Sequence, residues 1–136
     1  RQNEGSVATG GDAVARYITK RVDLTDEADV IKAFLSVNLP TAGSVRLYYR
    51  VLQGDGTVRV GGVDYNELND VPFTEASPVD AITFNDNPGI FAEAEYDIDP
   101  LGANVSFGTM QFKIVLNSTN SSRVPLLKDF RAIAAT

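Results

Sequence analysis

An alternation of apolar and polar side chains with a period of two residues is the feature that most constrains the fold of this chain. Residues 44–52 show it most clearly, with apolar side chains at the odd-numbered positions from Val45 to Val51 and polar ones such as Arg46 and Arg50 between them. Successive side chains of a β-strand point to opposite faces. This order therefore predicts a strand with one buried face and one solvated face.

The same alternation recurs along the chain. It is present in residues 30–37, 90–98 and 109–117, and residues 14–22, 58–60 and 124–134 are also rich in strand-forming types. Turns rich in Gly, Pro and Asp separate these segments, and no helical period extends beyond a turn or two. The exception is residues 25–28, which have the composition of one short capped helical turn. The pattern predicts an all-β protein of seven to nine strands, an antiparallel β-sandwich of the jelly-roll type.

The chain divides into a short arm and one domain. Residues 1–13 are polar and small, which predicts a flexible N-terminal arm, and residues 14–136 are expected to form a single β-sandwich domain. Residues 64–88 contain many Asn, Asp and Pro residues, so we expect a long ordered connection, with residues 81–84 as a short strand. Connections of this kind often carry the contact surfaces of all-β proteins.

Composition excludes several kinds of chemistry. The sequence has no Cys and no His, which removes thiol catalysis, thiolate metal sites, the Ser-His-Asp triad and the usual general base near neutral pH. The net charge of −6 disfavours nucleic acid as a partner, and no segment is long and apolar enough to cross a bilayer. We therefore expect a protein that is not an enzyme, needs no cofactor or metal, and binds neither nucleic acid nor membrane.

Three acidic residues form the strongest candidate for chemistry. Glu93, Glu95 and Asp97 share one face of a predicted strand, where aligned carboxylates can bind calcium or act as a glycosidase pair. Side chains two apart on one strand point the same way rather than across a cleft. A solvated polar face is the favoured interpretation, and the shorter acidic groups at residues 26–29 and 97–99 lack the spacing of a calcium-binding loop.

A basic and aromatic stripe is the candidate for binding. Arg46, Tyr48 and Arg50 share the solvated face of their strand, and Tyr and Arg are enriched at the energetic centres of protein interfaces. We predict that these three residues, together with Tyr17 and Tyr65, contact other proteins. A plain solvated face and a sugar-stacking surface are the alternatives, and the absence of Trp counts against the second.

The first half of the domain resembles a known family. Tyr17 to Lys20 form a Tyr-Ile-Thr-Lys strand, an apolar strand covers residues 33–39, and Pro40 with Gly43 leads into the alternating strand that holds paired tyrosines. This order resembles virion structural proteins of contractile-tailed bacteriophages, notably those that infect cyanobacteria. Residues 112–134, with their polar loop at 117–122, are similar to the closing hairpin of that family.

Residues 54–90 depart from the family pattern, which has a Trp-containing segment after the paired tyrosines. The resemblance implies a structural or adaptor protein of the virion, located in the tail or baseplate. It implies other virion proteins as partners, a symmetric assembly of many copies, and no catalytic residues. The alternative is a carbohydrate-binding jelly-roll module on a tail fibre or another surface protein.

Overall fold

The computed structural model describes residues 13–103, 105–120 and 122–136. Within them the chain is built from strands and a single 3-10 turn at Leu68–Asp70. The strands are β1 (Ala13–Ile18), β2 (Val22–Ala28), β3 (Val30–Asn38), β4 (Gly43–Leu52), β5 (Val58–Val60), β6 (Val63–Tyr65), β7 (Thr74–Ala76), β8 (Ala92–Ile98), β9 (Phe107–Ser118) and β10 (Leu126–Ala135).

The strands form two main antiparallel sheets. The larger sheet has the order β1-β9-β4-β7, and β2 also pairs with β9, at the other end of that long strand. The smaller sheet has the order β10-β3-β8, and β5 pairs with β6 as a separate hairpin. The two sheets pack face to face, as the edge-on contact of Phe112 in β9 with Phe130 in β10 illustrates, with 5.2 Å between ring centroids. The predicted antiparallel β-sandwich is thus confirmed.

The pairing of the strands is nested. β2 pairs with β9, β3 with β8, β4 with β7 and β5 with β6. Strands early in the sequence thus pair with strands late in the sequence, and the innermost pair is formed by two consecutive strands. This is the pairing of one long antiparallel hairpin rolled up on itself, which is the jelly-roll arrangement. The additional pairing of β4 with β9 joins the two arms of the roll within the larger sheet.

The core lies between the two sheets and consists of the apolar positions of the alternating strands. In β3 these are Ile31, Ala33, Leu35 and Val37, each with 1% or less of its surface exposed. β4, β8 and β9 contribute in the same way, with Leu47, Tyr96 and Ile114 among the most buried. Full burial of one large apolar side chain stabilises a fold by about 1.5–3 kcal/mol. The faces predicted for these four strands are the faces that the structure buries.

A smaller cluster supports the hairpin. Leu52, Val58, Leu68 and Val71 are buried together, and Tyr65 packs against them. The hairpin turns at Gly61 and Gly62, whose φ angles of 60° and 81° lie in the left-handed region. Two consecutive residues with positive φ are the requirement of a type I′ turn, which matches the twist of a two-stranded ribbon.

Two local expectations were wrong, and a third segment is divided. The strand-forming residues 14–22 are shared between β1 and β2, because the Thr19 hydroxyl accepts the main-chain N–H of Phe112 and interrupts the ladder. Residues 25–28 belong to β2 rather than to a helical turn, because β9 pairs with β2 at both of its ends and Ala28 is buried. Residues 81–84 form no strand.

The predicted N-terminal arm lies almost wholly outside the described residues. Ala13, the last residue of the predicted arm, begins β1. The described residues are therefore Ala13 and the predicted domain, apart from residues 104 and 121.

Candidate functional site

The larger sheet brings the predicted basic and aromatic residues of β4 together on its outer face. Arg46, Tyr48 and Arg50 alternate with the buried side of the strand. Their register places Tyr48 opposite Lys113 and Arg50 opposite Gln111 on β9. We call Arg46, Tyr48, Arg50, Phe73, Gln111 and Lys113 the cation–aromatic face.

Arg50 is tied into the protein at the cation–aromatic face. Its Nε and Nη2 donate to the Gln111 Oε1 at 2.9 and 2.6 Å, and its Nη1 donates to the main-chain oxygen of Val71 at 3.2 Å. Its guanidinium carbon lies 4.2 Å from the centre of the Phe73 ring. Burial lowers the pKa of Arg50 from its ordinary value. These contacts hold the chain after the 3-10 turn against the sheet.

Lys113 covers two aromatic rings on the same face. Its Nζ lies 4.8 Å from the ring centres of both Tyr48 and Phe73. Cations that sit over aromatic faces are attracted by the ring quadrupole. The Tyr48 ring thus carries one cation of this chain, and the Phe73 ring carries two, Lys113 and Arg50.

Arg46 is the most exposed of the three predicted residues on β4. Its Nε lies 3.9 Å from a carboxylate oxygen of Glu75 on β7, and both side chains are about half exposed. Exposed pairs of this kind contribute little to stability. Arg46 is therefore held loosely and is open to a partner.

Tyr17 and Tyr65 lie away from this face. Tyr17 pairs with Ile114, so it is on the opposite side of the larger sheet from Tyr48, near the edge, with 48% of its surface exposed. Tyr65 is half-buried on β6 against the small cluster of the hairpin. The structure thus groups Arg46, Tyr48 and Arg50, and separates Tyr17 and Tyr65 from them.

The acidic row of β8 forms an ion-pair ladder on the outer face of the smaller sheet. Lys32 donates to Glu95 at 3.0 Å and lies 3.5 Å from Asp97, while Arg131 donates to Glu93 at 3.0 Å. The two carboxylates beside Lys32 raise its pKa, the hydrogen bond to Glu95 most of all. All three acids lie in one row and face cations of β3 and β10, as the interpretation of a solvated polar face requires.

The other acidic groups are used by the fold. Glu27 accepts a hydrogen bond from the Ser106 hydroxyl at 2.6 Å, and Asp99 accepts one from the main-chain N–H of Gly102 at 3.1 Å. Asp23 accepts from Arg21 and Thr109, which lowers its pKa. Within the described ranges, no three acidic side chains come together as a metal site.

Sequence reasoning missed the strongest feature of the connection between β7 and β8, which is its anchor. The Nδ2 of the buried Asn38 shares its two N–H groups among the main-chain oxygens of Asn85, Asn87 and Ile90, which lie 3.1, 2.9 and 2.7 Å from it. The N–H of Asn85 donates to the main-chain oxygen of Leu39 at 2.8 Å. A loop without strand pairing is thus fixed to the end of β3.

A second contact locks the same loop. The Asp86 carboxylate accepts the main-chain N–H and the hydroxyl of Thr41, each at 2.9 Å, and these bonds lower its pKa. The fixed loop carries Phe84 and Ile90, which are 54% and 47% exposed. The only signal in the sequence was the run of Asn, Asp and Pro, which marks a turn but not its partner.

Within the described ranges, no helix has the length and apolar character needed to cross a bilayer. Comparison of the chain with protein-family models, with curated proteins and with solved structures found no match.

Proposed function

We propose that this chain is a structural adaptor of a bacteriophage particle, a component of the tail or baseplate that acts through protein–protein contacts. The observation that carries the proposal is the anchored loop of residues 84–90, defined here by the Asn38 and Thr41 contacts. Phe84 and Ile90 are half exposed on a loop that is already fixed by hydrogen bonds. Ordered apolar side chains bind partners without the entropic cost of ordering a loop.

The strand patterns around Tyr17 and the paired tyrosines support the same proposal, because they resemble those of phage virion proteins. The cation–aromatic face adds a second contact surface, with Arg46 as its most accessible residue. Tyr17 adds a third, at the edge of the larger sheet. Tyr48 and Arg50 support the cation–aromatic face from half-buried positions, and Tyr65 packs against the cluster of the hairpin, away from these surfaces.

The test is the location of the chain in phage particles. An antibody raised against the purified chain is applied to particles from the source material, which are then imaged by immunogold electron microscopy. Gold at one end of the tail, in every labelled particle, is the expected result. Particles that carry no gold, in a preparation where the antibody detects the chain only in the soluble fraction, would refute the proposal.

A glycan array with the same purified chain tests the alternative of a carbohydrate-binding module. Specific binding to a sugar by a chain that is absent from particles would establish that alternative. Among the described residues Tyr17 and Phe84 are the exposed aromatic side chains, and they belong to different elements, so we expect no hits.

A further inference from the structure

Positive charge is concentrated on the outer face that β1, β9, β4 and β7 form in the larger sheet. The register of β1 and β4 on β9 places Arg16 and Arg46 opposite the same residue, so Arg16 belongs to the side that carries the cation–aromatic face. Arg50 and Lys113 are the other cations, and Glu75 is the acidic residue that β7 contributes. The described residues at the outward positions of these four strands thus carry a net charge of +3, whereas the whole chain carries −6.

The same face offers apolar surface beside the cations. Ile18 lies in register with Lys113 and Tyr48 across three strands, and 51% of its surface is exposed. The Tyr48 and Phe73 rings each lie 4.8 Å from the Lys113 Nζ. A ligand on this face would therefore meet positive charge and apolar surface together, and Tyr and Arg are enriched among the residues that dominate binding at protein interfaces.

The spacing along β4 matches that of an extended peptide. Arg46 and Arg50 are four residues apart, which is about 13 Å along a strand, and Tyr48 lies between them on the same side. Every second side chain of an extended peptide points the same way. A peptide with acidic, apolar and acidic residues at alternate positions can therefore place its two carboxylates over the two arginines and its apolar side chain over the tyrosine.

The acidic remainder of the chain favours a short ligand. A long polyanion such as a nucleic acid would extend beyond this face, where the negative charge of the rest of the molecule repels it. A short segment contacts this face alone. Ile18 and Tyr48 favour a peptide over an anionic sugar chain, since a peptide can place an apolar side chain between its carboxylates.

We propose that the cation–aromatic face, together with Arg16 and Ile18, binds a short extended segment of a partner protein in which two acidic residues flank an apolar one at alternate positions. Glu75 competes with this segment for Arg46, because its carboxylate lies 3.9 Å from the Arg46 Nε. This inference rests on the adaptor role proposed above and names the chemical class of one partner.

Fluorescence anisotropy with a synthetic peptide tests the inference on the full chain. The probe is a fluorescein-labelled Glu-Ser-Leu-Ser-Glu peptide, titrated with the purified chain at low and at high salt. We expect binding that weakens at high salt, because salt screens exposed charge pairs. Replacing both Glu residues of the probe by Gln is expected to abolish binding, and replacing its Leu by Ser is expected to weaken it.

Two matched pairs of variants locate the site. Arg46→Glu is expected to weaken binding of the probe about tenfold or more, and Arg131→Glu to change it less than about twofold. Arg131 is the control because it is as exposed as Arg46 and also pairs with a carboxylate, but lies on the smaller sheet. Glu75→Gln releases Arg46 and is expected to tighten binding about threefold, whereas Glu93→Gln, which removes the closest carboxylate of Arg131, leaves it unchanged.

Several results would overturn the inference. They are no binding of the probe at low salt, equal losses for Arg46→Glu and Arg131→Glu, no gain for Glu75→Gln, or equal binding of the Gln peptide. Tighter binding of an oligonucleotide or a sulfated oligosaccharide, with the same dependence on Arg46, would also overturn it and assign the face to that class of ligand. Circular dichroism of each variant verifies that the fold is intact.

The results also separate this inference from the adaptor role. Failure of the probe to bind, together with gold at the tail end of particles, would reject the peptide site and leave the adaptor role standing. Binding of the probe by a chain that is absent from particles would reject the adaptor role and leave the peptide site standing.

Discussion

At the scale of single residues, the side chain of Asn38 holds the loop of residues 84–90 against the end of β3. One buried amide serves three main-chain oxygens that lie between 47 and 52 residues away in the sequence. A buried carbonyl that loses its donor costs far more free energy than a satisfied hydrogen bond contributes. The position of the anchored loop therefore depends in large part on this side chain, with the Asp86–Thr41 contact as a second anchor.

Replacing Asn38 tests that dependence. Asn38→Ala removes both N–H donors from these oxygens, and we expect the free energy of unfolding to fall by about 1–3 kcal/mol. Urea denaturation followed by circular dichroism measures it. Asn66→Ala is the matched control, because Asn66 is exposed. A loss below about 0.5 kcal/mol for Asn38→Ala would show that the loop has other sufficient anchors.

Two arginines on one strand face differ in their expected contribution to stability. Arg50 bonds to Gln111 and to main-chain oxygens and stacks on Phe73, whereas Arg46 makes one long, exposed ion pair. We expect Arg50→Ala to cost about 1–3 kcal/mol and Arg46→Ala no more than about 0.5 kcal/mol. Equal effects in thermal or urea unfolding would contradict this ranking. In contrast, we expect Arg46→Ala to reduce the binding of the chain to phage particles more than Arg50→Ala does.

At the scale of elements, the β5–β6 hairpin depends on its two glycines. An added Cβ would meet nothing within 4 Å at Gly61 or Gly62, so a substitution there is strained by backbone conformation and not by a clash. A side chain added at either glycine would therefore cause backbone strain without a steric clash.

Replacing Gly62 tests whether the hairpin requires this left-handed backbone conformation. Gly62→Ala is expected to destabilise by about 1–2 kcal/mol, because an L-residue in the left-handed region brings Cβ close to the next carbonyl. Gly89→Ala is the control, since its φ is not in that region and its Cβ would make ordinary contact with Asn87. Hydrogen exchange at Val58 and Val60 is expected to accelerate in Gly62→Ala. Identical stability and exchange in both variants would argue against a required left-handed turn.

Strands whose alternation is strong were predictable from sequence, and elements that depend on distant partners were not. The faces of β3, β4, β8 and β9 follow from a local pattern, because burial on one side is enough to specify it. Residues 25–28 of β2 were mistaken for a helical turn because their strand character comes from pairing with β9, more than 75 residues away. The loop of residues 84–90 was recognised as irregular, while its anchor on Asn38 has no local signal.

The candidate contact residues were predictable to a similar degree. One strand's alternation was enough to group Arg46, Tyr48 and Arg50. It could not show that Phe73 and Lys113 would cover the same surface, because they come from other elements. Tyr17 was grouped with them by residue type alone, and register places it on the other side of the sheet.

At the scale of the whole molecule, a buried tyrosine of the core sets a limit to stability at high pH. Tyr96 is 1% exposed, and burial, with a smaller contribution from Glu75, raises its pKa to about 12 from the ordinary 10.0. The unfolded chain releases this proton above pH 10 and the folded protein holds it until about pH 12. The stability linked to Tyr96 is therefore present below pH 10 and is lost as pH rises through this window.

Between pH 10 and about pH 12 the free energy of unfolding is expected to fall by about 3 kcal/mol, since one pKa unit corresponds to about 1.4 kcal/mol. Urea unfolding at a series of alkaline pH values measures it. Tyr96→Phe is expected to remove most of this slope. Tyr49→Phe is expected to remove less, although burial also raises the pKa of Tyr49. An unchanged slope in Tyr96→Phe would mean that other groups cause the alkaline loss.

The nested pairing of the strands has a consequence for how the chain acquires its structure during synthesis. β9 is the central strand of the larger sheet, where it pairs with β1, β2 and β4, yet it is synthesised after all three of them. Until residue 118 emerges, these three strands have no central partner, and their apolar faces remain open to other nascent chains. Formation of the larger sheet thus waits for β9 and is dominated by long-range closure, which favours slow folding kinetics.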